Sequence, residues 1–188
     1  MKRQIELVVN DYFNELHLRA SESEEDFWRE LHLLHGELAG KFKAACKGGK
    51  VKRYSIKNQS LQFGLDVATW LADYYKQYCK WFVSLKESAP KRLLDIGCDN
   101  GILTCFYAYL YPETEVIGID PCKEGIQCAK ELAERLGLTN VSFEQLSYQE
   151  VGSYPKAHFD MITSVRVFHE IVGTIIVPGY WSLAEIIE

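Results

Sequence analysis

No apolar run in this 188-residue sequence reaches the ~20 residues needed to cross a bilayer, so a membrane partner is not expected. The start, Met1-Lys2-Arg3-Gln4, leads into a charged amphipathic stretch and lacks the apolar core of a signal peptide. The six cysteines (46, 79, 98, 105, 122 and 128) form no Cys-x-x-Cys pair. That argues against a disulfide framework or a zinc site and for reduced thiols in a cytoplasmic protein, with no metal. No Gly-x-Gly-x-x-Gly turn is present, which removes the usual signature of a dinucleotide site. Internal repeats and low-complexity segments are absent too. Acidic residues are missing altogether from residues 38–65, which instead hold Lys41, Lys43, Lys47, Lys50, Lys52, Arg53 and Lys57. The chain as a whole carries a formal charge of −5 and a pI near 5.6, unlike a protein that coats nucleic acid.

The sequence does contain a pair of cofactor signals. Leu93-Leu94-Asp95-Ile96-Gly97-Cys98-Asp99-Asn100-Gly101 is an apolar run ending in an acid, then a turn with two glycines, followed at Ile102 by an apolar helical pattern. Such a strand, close-approach loop and helix start suit an anionic ligand group. Further on, Glu115-Val116-Ile117-Gly118-Ile119-Asp120 is a second strand ending in an acid, placed to accept hydrogen bonds from a ribose diol. Together the two segments point to a nucleoside cofactor. Asp99 stands where a dinucleotide turn has its second glycine, and its carboxylate would repel a pyrophosphate.

The first segment resembles motif I of the class I S-adenosylmethionine-dependent methyltransferases, an acid-x-Gly-x-Gly-x-Gly loop in which Asp95, Gly97 and Gly101 match and Asp99 replaces the middle glycine. The resemblance continues through Val116–Pro121, Asn140–Phe143 and Phe159–Ser164, four segments in order over roughly residues 68–176. It implies an enzyme that uses S-adenosylmethionine. In that family the acid matching Asp95 orders the loop and approaches the methionyl ammonium. Gly97 and Gly101 would supply positive φ and close backbone approach, and Cys98 a backbone amide. Asp99 would be a second ligand for the ammonium or an outward-facing residue. Asp120 would accept from the ribose hydroxyls, and Pro121 would shape the wall beneath adenine. Ser147 occupies a slot often held by Asp beside the adenine amino group, and the Leu146 N–H would reach the ring. Ser164 closes the last matched strand, and His169 in the loop beyond it is the weak candidate for a general base. Methyl transfer needs little more than alignment, because the sulfonium is already activated, so no catalytic residue stands out. His17, His32 and His35 lack the further ligands of a metal site.

The pattern along the chain divides it at about residue 64. Residues 1–64 read as a helical N-terminal extension carrying the basic stretch 41–57. Helical spacing runs over 4–19, and a Ser23-x-x-Asp26 cap opens a second helix that Gly40 ends. A turn follows at 46–50, then a short extended segment over 51–56. Residues 61–85 form one long helix or two abutting ones. Residues 65–188 read as the α/β domain: strands at 91–96, 115–120, 141–145 and 159–164 alternate with helices at 101–110 and 122–136 and a weak one near 147–151. That alternation predicts a Rossmann-like parallel sheet with helices on both faces and the 159–164 strand on the far side of the first. Similar enzymes usually carry seven strands, so the last ones look absent here. Ile171–Val177 is a candidate fifth strand and Ser182–Glu188 a helix. The open apolar edge suggests a fragment, or a homo-oligomer joined through the C-terminal edge.

The functional expectation is methyl transfer from S-adenosylmethionine to an unidentified acceptor, a small molecule in preference to RNA. The rivals are an RNA-base methyltransferase, suggested by the basic stretch and by the Asp-x-Gly-x-Asp loops of some tRNA methyltransferases, and a non-catalytic cofactor-binding or dimerisation module.

Overall fold

The computed structural model describes residues 2–48, 50–85 and 89–167. Its centre is a four-stranded parallel sheet of β1 (Arg92–Ile96), β2 (Glu115–Ile119), β3 (Val141–Glu144) and β4 (Met161–Thr163), ordered β3-β2-β1-β4 as the alternation predicts. Leu93 sits opposite Val116 on one side and Met161 on the other, which puts Asp95 beside Gly118 and Thr163. Alternate residues face opposite ways. Leu93 and Val116 therefore share a core with helices α7 (Ile102–Leu110) and α8 (Lys123–Arg135), while Leu94, Ile117 and Ile119 pack against Leu146, Val151, Tyr154 and Phe159. The second face is covered by a short 3-10 helix, Tyr148–Ser153, and the loop after it. The crevice outside the ends of β1 and β2 is where ligands bind in such sheets.

Among the described residues, six α-helices precede β1. They are α1 (Lys2–Glu15), α2 (Glu24–His35), α3 (Glu37–Gly48), α4 (Lys50–Lys57), α5 (Leu61–Ala68) and α6 (Ala72–Ser84), with a 3-10 turn at Thr69–Leu71 between the last two. The α1 helix presents Val9, Tyr12, Phe13 and Leu16 to the main core, and the Tyr12 hydroxyl donates to the Ile102 carbonyl at 2.5 Å. A separate apolar cluster, Phe27, Leu31, Ala39, Phe42, Phe63 and Val67, joins α2, α3 and α5. His35 and Asp66 add a 2.7 Å contact between α2 and α5.

Three expectations need correction. The helix opened by Ser23 stops at His35, because Gly36 (φ +51°) turns the chain; Gly40 then lies inside α3. The turn expected to begin at Cys46 and the extended segment expected over 51–56 are helical instead: α3 runs to Gly48, and Lys50–Lys57 is the helix α4. Ile56 there packs against the second apolar cluster, a tertiary contact that overrides the β preference of a Val- and Ile-containing stretch. The last strand, expected over 159–164, is only Met161–Thr163, and Ile162 on it is 57% exposed. Ile171–Val177, Ser182–Glu188 and His169 lie outside the described residues.

Candidate cofactor site

The loop after β1 is built by hydrogen bonds within the protein. Gly97 and Cys98 both donate their N–H groups to the Ile119 carbonyl, at 2.8 and 3.0 Å, tying the start of the loop to the end of β2. The Cys98 amide expected to face a ligand is therefore already engaged. Gly97 and Gly101 have φ of +78° and +80°, and Asp99 also lies in the left-handed region at +49°. Asp tolerates this conformation better than most residues. What approaches the two glycines is protein: a Cβ on Gly97 would meet Val167 at 2.3 Å, and one on Gly101 would meet Ala129 of α8 at 2.8 Å.

Asp95 is buried beneath the loop, with Thr104 Oγ1 donating to Oδ2 at 2.6 Å and Thr163 Oγ1 to Oδ1 at 2.9 Å. Burial raises its carboxyl to about 6, against the pull of those two hydrogen bonds. Asp120 stands at the tip of β2 and accepts from the Asp99 N–H at 3.0 Å and from the Cys122 N–H at 2.8 Å. Burial, then repulsion from Asp99, raises it also to about 6. Each Asp120 oxygen accepts one backbone N–H and so keeps a lone pair for a further donor. That donor set fits a vicinal diol.

Asp99 turns away from the role of a free ligand. Its carboxylate pairs with the Lys57 ammonium and accepts from Asn58 Nδ2 at 2.6 Å, both at the end of α4. Burial works to lower the Lys57 ammonium, but the Asp99 carboxylate and neighbouring tyrosines outweigh it and hold it above the usual lysine range. Asn58, Thr104 and Thr163 were not singled out in the sequence, and Lys57 was read only as a member of the basic stretch. An isolated acid in a glycine loop, together with an acid-free basic stretch ending at Lys57, was the available signal for Lys57 and Asn58.

These groups border a cleft of about 1030 Å³. One side is the loop, Asp120, Pro121 and the Gln145–Gln149 segment; the other is a roof from the N-terminal helices that includes Phe27, Trp28, Phe42, Tyr54, Trp70 and Tyr75. The Leu146 N–H is engaged by the Glu144 carbonyl at 3.0 Å. Ser147 caps the following 3-10 helix, exchanging hydrogen bonds with Glu150, but its hydroxyl proton is left over for a ligand acceptor. Ser164 does not line the cleft, and its hydroxyl is buried without a partner among the described residues. Among those residues no cluster of three or more His, Cys, Asp or Glu could hold a metal, and no helix is long and apolar enough to cross a membrane.

Residues 87–174 match the family model of a methyltransferase domain. Over that segment, just under half of its length, the chain is similar to methyltransferase domains. The same segment has curated relatives. An uncharacterised protein of Synechococcus sp. is 36% identical over 81 residues, covering 43% of this chain and 19% of that protein. A ubiquinone biosynthesis O-methyltransferase of Paraburkholderia phymatum is 31% identical over 111 residues, 54% of this chain and 47% of that enzyme. A ribosomal RNA small subunit methyltransferase G of Thermotoga sp. is 26% identical over 93 residues, 50% of this chain and 41% of that enzyme. The chain thus spans less than half the length of each of these relatives.

Proposed function

We propose that this methyltransferase binds S-adenosylmethionine in the loop-side half of the cleft and methylates a small-molecule acceptor held under the helical roof. The observation that carries the proposal is the cleft itself. Its volume of about 1030 Å³ lies at the upper end of the ~300–1,000 Å³ range of ligand pockets, and its two walls differ in chemistry. The loop wall supplies Asp120 for a ribose diol and a carboxyl, Asp95, beneath the loop. The roof supplies aromatic surface, with Phe27 and Trp28 rings 4.8 Å apart and Phe27 and Trp70 5.4 Å apart, suited to excluding water from a small organic acceptor. When bound, the cofactor supplies an activated sulfonium methyl group. The chain's own contribution is to hold the two molecules in line and keep water out.

The RNA reading keeps one specific support. Lys41, Lys43, Lys47 and Lys52 are exposed on α3 and α4, and one relative is a ribosomal RNA methyltransferase. Lys57, however, faces Asp99 and is withdrawn from that row.

Incubation with methyl-labelled S-adenosylmethionine and a cell extract divided into low-molecular-weight and RNA fractions separates the readings. Label in the small-molecule fraction is expected. Label confined to RNA would overturn the acceptor assignment, and label in neither would favour a non-catalytic module.

A further inference from the structure

The replacement of a loop glycine by Asp99 has a structural counterpart 42 residues earlier. The Lys57 ammonium is paired with Asp99, its side chain is only 14% exposed, and it lines the cleft. Asn58 fixes the other Asp99 oxygen from the same helix end. Through its own N–H, Asp99 is bonded to Asp120. A cation from the roof is therefore anchored within one residue of the acid assigned to the ribose, on the glycine loop itself. An ammonium has three N–H donors, and Asp99 engages one of them.

The loop region also concentrates negative charge. Asp95, Asp99 and Asp120 converge there, and Cys98, which lies among them, has its thiol pushed well up by burial and by all three acids. The methionyl end of S-adenosylmethionine carries a carboxylate as well as an ammonium. A bare Asp99 in this position would repel that carboxylate. Other cations also line the cleft: Arg53 lies over the Tyr54 ring at 4.8 Å and donates to its hydroxyl at 2.9 Å, Arg166 is exposed and lies over the Tyr74 ring at 5.3 Å, and Lys123 is exposed at the start of α8. Lys57 is a lining cation whose acidic partner belongs to the loop itself.

We infer that Lys57 binds the carboxylate of the cofactor's methionyl end, and that Asp99 serves as the partner that holds Lys57 there. This rests on the cofactor proposed above. It makes the roof part of the cofactor site: α4 supplies a binding group and not only a wall for the acceptor. Asp99 and Lys57 then form a compensated pair, in which losing the lysine alone leaves an unpaired acid facing the ligand.

Two ligands separate this role from a purely structural one. S-adenosylhomocysteine has the amino-acid carboxylate; 5′-methylthioadenosine keeps the nucleoside and the thioether but lacks the amino-acid end. In calorimetric titration of the full chain, Lys57→Met is expected to weaken S-adenosylhomocysteine roughly tenfold to hundredfold while changing methylthioadenosine less than about threefold. The Lys57→Met/Asp99→Gly double variant should recover part of the loss, because the uncompensated carboxylate is gone. Retained methylthioadenosine binding also shows that the variant is folded. Equal losses for both ligands, or a loss for neither, would overturn the inference. A double variant no better than Lys57→Met would overturn the pairing role of Asp99. If the unsubstituted chain bound neither ligand, the cofactor proposal itself would fall, and this inference with it.

Discussion

Gly101 offers a test of how tightly the cofactor loop is packed into the fold. It precedes α7 with φ +80° and ψ 6°, and an added Cβ would lie 2.8 Å from the Ala129 Cβ, 3.0 Å from its Cα and 3.2 Å from the Phe143 ring. Ala129 is fully buried on α8, and its Cα is backbone, so neither can swing aside. Gly101→Ala therefore incurs two costs. Left-handed backbone with a Cβ costs about 1–2 kcal/mol, and forcing a methyl group into a packed core costs about 1–3 kcal/mol. Their sum, about 2–5 kcal/mol, lowers the melting temperature by roughly 5–20 °C at ~2–4 °C per kcal/mol for a chain of this size. Gly137→Ala is the control, since Gly137 has φ +65° but nothing within 4 Å of its Cβ position. It incurs only the backbone term and should lose roughly 2–8 °C. Thermal denaturation of the two variants followed by circular dichroism measures both. Equal shifts would refute the claim that α8 closes against the loop.

Asp95 and Asp120 have folded-state values of about 6, above the ordinary carboxylate range. Their ionisation therefore opposes folding: the stability they contribute is full below pH ~4 and is lost as the pH rises through about 6, on the order of 3 kcal/mol for the buried Asp95. Denaturant titrations between pH 4 and 7 should show this fall and show it reduced in Asp95→Asn; an unchanged slope in the variant would contradict the burial argument. Tyr12→Phe removes the hydroxyl that donates to the Ile102 carbonyl and should cost about 1 kcal/mol by chemical denaturation. No loss would mean that α1 is held by its apolar face alone. If the lysines of α3 and α4 contact RNA, tRNA affinity should fall steeply with the logarithm of salt concentration, in proportion to the phosphates neutralised. A flat response, or no binding at ~50 mM salt, is the result expected of a small-molecule enzyme.

The strand and helix alternation from Arg92 to Thr163 was legible because each element carries its own period, and the two strand-terminal acids, Asp95 and Asp120, mark where the crevice lies. The roof was less legible. Gly48 and Gly49 next to Val51 suggested a turn and an extended segment, yet α4 forms because Ile56 packs on a distant cluster and Lys57 and Asn58 are anchored by Asp99. No local pattern encodes a partner 42 residues away. The same holds for the Thr104 and Thr163 hydroxyls, which meet on Asp95 only once β4 lies beside β1. Loop amides assigned from the family pattern to a ligand are used at Cys98 to hold the end of β2 and at Leu146 to close a turn on the last residue of β3, a choice that depends on the exact turn and not on residue type.

Asp120, as the acceptor for a nucleoside's ribose, is the residue on which the cofactor assignment most depends. Calorimetric titration of the chain and of Asp120→Ala with S-adenosylhomocysteine and with NAD tests it. S-adenosylhomocysteine should bind the unsubstituted chain more tightly than NAD, and Asp120→Ala should lose roughly 1.5–3 kcal/mol of that affinity, the scale of a hydrogen bond to a charged group. Tighter binding of NAD, or undiminished binding of S-adenosylhomocysteine by Asp120→Ala, would contradict it.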